Sequence, residues 1–516
     1  MKATSSEVAF TVNTVLSFRL GFDWQDYYNP DWLDHVEAIN AQTVKFYFKK
    51  MPTVAVLQYG ALQGLVLQKA YWAPRIAASA ALLPSAELLS RIEVLKIKVT
   101  DLQIRVNALQ ATLATSTGDA ARQTQVSIQH QQGDLDQATN DLSKAQIVID
   151  TAMKAARAML YSLDDKDEPH LGPWMYKASG NGSIENDANP KYPLGKPGFD
   201  YVIYNIYPTE AAAINAYSNG EVDAILMPDG ISLQNLAGNP ALQTVMKSSN
   251  HSLRFLVFNP LFAPLNNRAI HQAFACMIAQ EELASRLNGQ AAPLESFVLP
   301  TEFPWSNTNA SLPCKGMDDP ARIEQAVQIL KSASYTWKQE PTANVAGQRL
   351  TLQSGQAFPN ITLLVPSDDD VRVAAASYIQ HEAHMLGIPL TAQPVSSVEL
   401  NYEVFGSQSY DMAVLGWHVS SYPGYLCDWF GEGNRFNDSE SQVKSLCANL
   451  KVTSDLESAY QQLFEIQSTL AQELPFIPLY SGVTYDLYRN VRYPFDQVPD
   501  GLSGVYGVPA LAIPVE

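Results

Sequence analysis

Tyr410–Tyr425, YDMAVLGWHVSSYPGY, is the stretch whose reading decides the fold. Met412, Ala413, Val414 and Leu415 form a short unbroken apolar run, the pattern of a buried strand, and Gly416 with Trp417 ends it. His418, Ser420, Ser421, Tyr422, Pro423 and Gly424 then read as a loop. In open α/β sheets ligands gather where strands end and loops begin, and a bulky aromatic followed by small hydroxyls suits a ligand wall. Taken alone, the segment fits equally well a Trp plugging the core beside an ordinary loop.

Outward from this strand the chain repeats one grammar. NITLLVPS (360–367) reads as a strand, DDDVRVAAASYIQHEAHMLGI (368–388) as a helix with acids in its first turn, and IPLTAQPVS (388–396) as a strand. HSLRFLVFN (251–259) is another strand. PLNNRAIHQAFACMIAQEELASRL (264–287) reads as one helix entered at Pro264 and Asn266. Thr209 and Gly220 bound a further helix, DLESAYQQLFEIQSTLAQEL (455–474) is amphipathic, and PFIPLYSGVTYDLYR (475–489) is a strand pair or one long strand. Near the start, SSEVAFTVNTVLSF has a cap-like Ser6 before a helical pattern, and TVKFYFKK alternates as a strand does. The strands on which that helix would pack are missing from the sequence before it.

Residues 85–160 differ in character. Leu88, Ile92, Leu95, Val99, Leu102, Val106, Leu109 and Leu113 step by four and three, the heptad spacing of a coiled-coil seam. After Ser116–Asp119 a second seam runs through Leu135, Ala138, Leu142, Ala145, Ile149, Ala152, Ala156 and Met159. The expected arrangement is an antiparallel helical hairpin with an arm of roughly 40 Å, given a rise of about 1.5 Å per residue. It serves either as a docking arm, for a coiled-coil partner or self-association, or as a self-satisfied insertion.

With 516 residues the chain is long enough for two or three domains. A formal charge of −18 excludes sequence-independent nucleic-acid binding, which needs dense Lys and Arg. No apolar span of about 20 residues occurs, so no transmembrane helix is expected. MKATSSEVAF carries no apolar core or cleavage pattern and is not a secretory signal. Of the four cysteines, Cys427 and Cys447 flank a polar loop that a bridge could staple; Cys276 lies at an apolar helix position that favours a buried free thiol, with loop Cys314 as its alternative partner. His381, Glu382 and His384 are not HExxH and supply only two ligands, so neither a metal nor a cofactor is expected. Ser354 lacks a nucleophile elbow, Asp368–Asp370 read as helix-start acids, and nothing in the chain looks catalytic.

SSEVAFTVN, VEAINAQTVKFYFKK, GPWMYK with NPKY, SNGEVDAIL, FNPLFAPLNNRAIHQAFACMI, LGIPLTAQPV, YDMAVLGW and ELPFIPLY occur in an order that resembles the family 5 extracytoplasmic solute-binding proteins. These are the oligopeptide, dipeptide and nickel receptors of ABC importers. The resemblance implies an α/β, two-lobe periplasmic-binding-protein type II fold with an inserted antiparallel coiled-coil hairpin. Lobe one would hold residues 1–76, 164–250 and 479–516, lobe two residues 251–478, and the hairpin residues 77–163. It implies a non-enzymatic receptor, periplasmic or at the cell surface, that closes on a small peptide or other polar organic ligand and hands it to ABC permease subunits. A surface scaffold assembled through the hairpin is the alternative.

The ligand residues implied are Trp417, which matches the family Trp, together with His418, Ser420, Ser421 and Tyr422. Peptide receptors carry after GW an Asp that pairs with the peptide α-amine; here Ser420 or Ser421 stands in its place. The family's first strands and signal peptide have no counterpart before Met1, which implies a fragment or a lobe completed by another polypeptide.

Overall fold

The computed structural model describes residues 4–21, 23–164, 168, 172–193, 195–225, 244–431, 442–493 and 512–514. They form two compact units: Met1–Pro52 with Val56–His170, and Thr53–Ala55 with Leu171–Glu516.

In the first unit, α1 (Ser5–Phe18) starts two residues earlier than the cap-like Ser6 suggests. Thr4, not Ser6, is the N-cap: its hydroxyl accepts from the Ser6 N–H, and Glu7 reaches back to the Thr4 N–H at 2.9 Å to close a capping box. Val12, Val15 and Phe18 are buried against β1 (Leu33–Asn40), which pairs antiparallel with β2 (Thr43–Phe48). The Asn13 amide bonds both the N–H and the C=O of Val36, at 3.0 and 2.8 Å, and so fastens helix to strand.

After α2 (Lys69–Ala80) come the two long helices, α3 (Ala86–Thr115) and α4 (Gly118–Tyr161). Ile92 packs with Ala145, Ile149 and Met153, and Leu102 and Val106 pack with Leu135 and Ala138. This is the expected antiparallel hairpin, about 45 Å long for the 30 residues of α3. Two seam positions differ, with Met153 in place of Ala152 and Leu160 in place of Met159. The second seam ends through Met153, Ala156 and Leu160, while Met159 is exposed, because α4 turns from its partner helix onto the core of Val12, Val15, Phe18 and Ile76. Helix α4 is thus continuous with the globular core.

The second unit opens with the sheet β3 (Trp174–Gly180), β4 (Ser183–Ala188), β5 (Tyr201–Asn205), then α5 (Glu210–Asn219), capped by Thr209 and ended by Gly220 at φ 84° as expected. Its centre is a seven-stranded mixed sheet made of β6 (Ala224–Ile225), β7 (Thr244–Phe258), β8 (Ala291–Pro293), β9 (Ile361–Pro366), β10 (Leu390–Val395), β11 (Met412–His418) and β12 (Phe476–Tyr488). The spatial order is β10-β9-β11-β7-β12-β6, with β8 also on β12. β9, β10 and β11 run parallel; β7 runs against β11 and β12. A parallel pair needs a crossover, and α8 (Asp370–Met385, between β9 and β10) supplies it, N-capped by Asp369.

Two expectations need correction. The helix at 264–287 is two helices, α6 (Arg268–Met277) and α7 (Gln280–Arg286), entered through an Asn267 cap and broken where Ile278 turns extended. Cys276 is not a free thiol: it is bonded to Cys314, Cα to Cα 5.0 Å, because Cys314 takes a left-handed turn (φ 61°) that brings it to the buried helix position. Cys427 and Cys447 are bonded as expected, bridging α9 (Tyr425–Phe430) and α10 (Val443–Leu450); residues 432–441 of the polar loop lie outside the described residues.

Candidate ligand-binding site

β11 lies between β9, parallel, and β7, antiparallel, with Met412 opposite Phe258 and His418 opposite Ser252. Met412–Leu415 are fully buried, which is why the run is continuous rather than alternating. The carboxyl ends of β9 and β11 therefore emerge at one edge of the sheet, the place where α/β sheets hold ligands.

Trp417 is half-buried at that edge. By register it shares a sheet face with Phe255, 5.1 Å between ring centroids, and it also meets Trp429 at 4.5 Å and Phe405 at 5.8 Å. Phe255 is wholly buried and contacts Trp429 and Phe476 as well, so one side of the indole rests on a rigid aromatic stack. His418 and Ser420 are exposed, and Ser421 and Tyr422 half-buried. The loop is held by the Val419 N–H, which donates to the His251 carbonyl at 2.9 Å, and by the Ser420 hydroxyl, which donates to the Tyr422 carbonyl at 2.8 Å. The Tyr422 ring turns inward, edge-on to buried Trp305 at 5.2 Å. Four of the five expected residues thus line one strand end, and Tyr422 braces the loop from beneath.

The opposite face of the same strand end holds groups the sequence reading missed. Arg254 stands between Gly416 and Tyr480 in register, so all three share that face. A Cβ at Gly416 would collide with Arg254 Cδ, which gives the glycine before Trp417 a steric reason: the arginine lies across it. Among the described residues the buried Tyr480 hydroxyl meets no hydrogen-bond partner. Burial pushes its pKa up, with Asp369 adding to the rise and Arg254 and Arg372 opposing it. Asp369 pairs with Arg372 at 2.6 Å. One signal was available, since Arg254 is the only charge inside HSLRFLVFN. Behind the wall, His251 Nδ1 and Glu302 meet at 2.7 Å, both buried.

His381 is exposed, His384 Nε2 donates to the Leu390 carbonyl at 2.8 Å, and Glu382 is pushed up to about 7 by burial and by the nearby carboxylates of Glu282 and Asp319. Among the described residues no group of three His, Cys, Asp or Glu could hold a metal, and no helix is long and apolar enough to cross a membrane.

The model of the bacterial extracellular solute-binding proteins, family 5 middle, matches residues 112–437. The chain belongs to this family. Membership places this family 5 protein outside the cytoplasm, and two disulfides with no free cysteine suit an oxidising compartment. It is 23% identical over 326 residues to the probable ABC transporter periplasmic-binding protein SapA of Escherichia coli (60% of this chain, 54% of SapA) and 22% identical over 324 residues to the oligopeptide-binding protein AppA of Bacillus subtilis (60% and 56%). The chain spans about half the length of these curated relatives. The solved substrate-binding protein CtaP of Listeria monocytogenes superposes with a TM-score of 0.65 at 16% identity, covering 100% of this chain and 85% of CtaP. A putative peptide-binding AppA of Clostridium difficile gives the same score and identity over 99% of this chain and 85% of its own. The likeness establishes the α/β fold of type II binding proteins.

Proposed function

We propose that this protein is the solute receptor of an ABC importer. It captures a peptide-like or other polar organic ligand against Trp417, His418, Ser420, Ser421 and Tyr422 and delivers it to the permease subunits without chemical change. The observation that carries this reading is the seat of Trp417: a half-buried indole on Phe255, Trp429 and Phe405, at the carboxyl end of a parallel strand. Such an aromatic is held in place whether or not a ligand is present, so little ordering entropy opposes binding.

The lobes proposed are residues 1–76, 164–250 and 479–516 against 251–478, with residues 77–163 as the inserted hairpin. Both crossings then fall in the long β7–β12 pair, whose ladder is broken by irregularities between Pro478 and Tyr480 and between Ser481 and Val483. A bulged ladder bends more readily than a regular one, as a hinge requires. Ligand contacts made by both lobes would exist only when closed, so ligand shifts the population toward the state a permease reads.

With Ser420 and Ser421 in place of an acid, the wall has no counter-ion for an α-amine. Isothermal titration with free and N-acetylated peptides should give equal affinities. A strong preference for the free amine would contradict this reading. The assembly reading of the hairpin keeps one support, the outward Val94, Ile97 and Ile104 of α3, 63–69% exposed. Sizing chromatography after excision of residues 85–160 tests it, and an unchanged oligomeric state with intact ligand binding removes it.

A further inference from the structure

Helix α3 carries two heptad stripes, and α4 covers one of them. Ile92, Leu95, Leu102 and Val106 belong to the covered stripe. The other, on the far side of the helix, runs through Val94, Ile97, Asp101, Ile104, Ala108 and Ala111, again in steps of three and four, and all six are exposed. Val94, Ile97 and Ile104 are 63%, 69% and 63% exposed. Apolar residues scattered singly over a surface are ordinary, but at heptad spacing on one helix they make a seam without a partner helix. The stability of α3 itself does not account for them, because β-branched residues are weaker helix formers than the Ala, Lys or Gln that would serve at exposed positions.

The borders of the stripe carry different charge. Arg91, Lys98 and Arg105 recur every seven residues along one border, Lys98 and Arg105 directly after Ile97 and Ile104. Arg91 and Lys98 meet no carboxylate among the described residues, and Arg105 pairs within its own helix with Asp101 at 2.7 Å. The other border is Glu93, Thr100 and Asn107, with Glu93 paired to Lys96 at 2.8 Å. A basic row of this kind stands out in a chain of net charge −18. A second copy of α3 is a poor occupant. Paired parallel and in register, Asp101 would lie against the same residue of the copy inside the seam; paired antiparallel, the two basic borders would face each other. An acidic helix meets neither obstacle.

We propose that the outer face of α3 docks an amphipathic helix of another protein, whose apolar heptad seam covers Val94, Ile97 and Ile104 and whose bordering carboxylates pair with Arg91, Lys98 and Arg105. The hairpin is then a docking arm. This goes beyond ligand capture and beyond self-association, and depends on neither.

The test is fluorescence anisotropy of the whole protein against two labelled peptides of about 28 residues, long enough to be helical, each four heptads with Ile and Leu in the seam. One carries Glu at both bordering positions and the other carries Lys. The Glu peptide should bind about tenfold more tightly or better, and its affinity should fall several-fold between about 50 and 300 mM salt. Ile97→Gln and Ile104→Gln together should weaken it about tenfold with the melting temperature unchanged, since both side chains are exposed. Lys98→Glu with Arg105→Glu should turn the preference toward the Lys peptide. Equal affinity for the two peptides overturns the proposal, as does binding that the Gln substitutions leave intact, or no binding of the Glu peptide at about 1 mM. Sedimentation of the protein alone supplies the last check: a wild-type dimer that the Gln substitutions dissolve would make a second copy the occupant and overturn the proposal, and a species they leave unchanged supports it.

Discussion

The helical hairpin and the Trp417 strand end are stabilised over different distances along the chain. In α3 and α4 every seam contact joins two consecutive helices, Ile92 to Ile149 or Val106 to Leu135, and the charged residues point to water. At the strand end Trp417 meets Phe255, 162 positions earlier in the sequence, while Tyr422 meets Trp305 and Phe255 meets Phe476. The hairpin can form as soon as its own residues exist. The strand end exists only when β7, β11 and β12 have come together. A local structure tolerates change in steps, and a convergent one fails as a unit.

The largest test of this contrast is Phe255→Ala. Phe255 is wholly buried where Trp417, Trp429 and Phe476 converge, and its removal should cost about 3–5 kcal/mol in denaturant unfolding. A loss below about 1 kcal/mol would mean the ring cluster does not hold the strand end together.

His271 sharpens the contrast through pH. It is buried, stacks on Phe258 at 4.2 Å, and its Nε2 donates to the Leu265 carbonyl at 2.6 Å. Burial, against those backbone bonds, lowers its pKa to about 4. Between about pH 4 and the unfolded value near 6.5 the unfolded chain binds the extra proton. Stability from this group is therefore complete above about 6.5 and is lost as pH falls toward 4, about 3 kcal/mol in all. The advantage of wild type over His271→Asn should shrink by that amount across this window. A difference independent of pH would show that the imidazole is not held neutral. The comparison with the variant matters because Glu382, raised to about 7, acts in the opposite direction between about 4.5 and 7.

In the hairpin, Ala138→Leu overfills a position with no exposed surface and should cost about 1–3 kcal/mol. It should leave ligand affinity unchanged, and a parallel loss of binding would show the two regions to be coupled. Smallest of all, Ser420→Ala breaks only an exposed bond to the Tyr422 carbonyl and should change stability by less than about 0.5 kcal/mol. A larger change in thermal melting would make that bond a structural clasp of the loop.

The same division governs what could be read before folding. Heptad spacing placed the hairpin, because a helix repeats its environment every few residues; it erred at Ala152 and Met159, whose places Met153 and Leu160 take as α4 leaves its partner for Ile76 and Phe18. Continuous apolar runs gave the strands, and Thr209, Gly220 and the acids before Val371 gave helix ends, since capping is satisfied within one turn. The break at Ile278 and the Cys276–Cys314 bond were illegible for the opposite reason: both depend on where a distant turn is carried.

By itself, then, the sequence determined the order of strands and helices, the hairpin, the absence of dense basic charge, and Trp417 at the end of a buried strand. Tertiary structure alone decided what surrounds that strand end. Strand pairing sets Arg254 between Gly416 and Tyr480, which lie 162 positions downstream and 226 positions downstream of it, and no local pattern fixes the register of partners so far apart. YDMAVLGWHVSSYPGY thus announced a strand end, and the fold supplied what packs on its two faces.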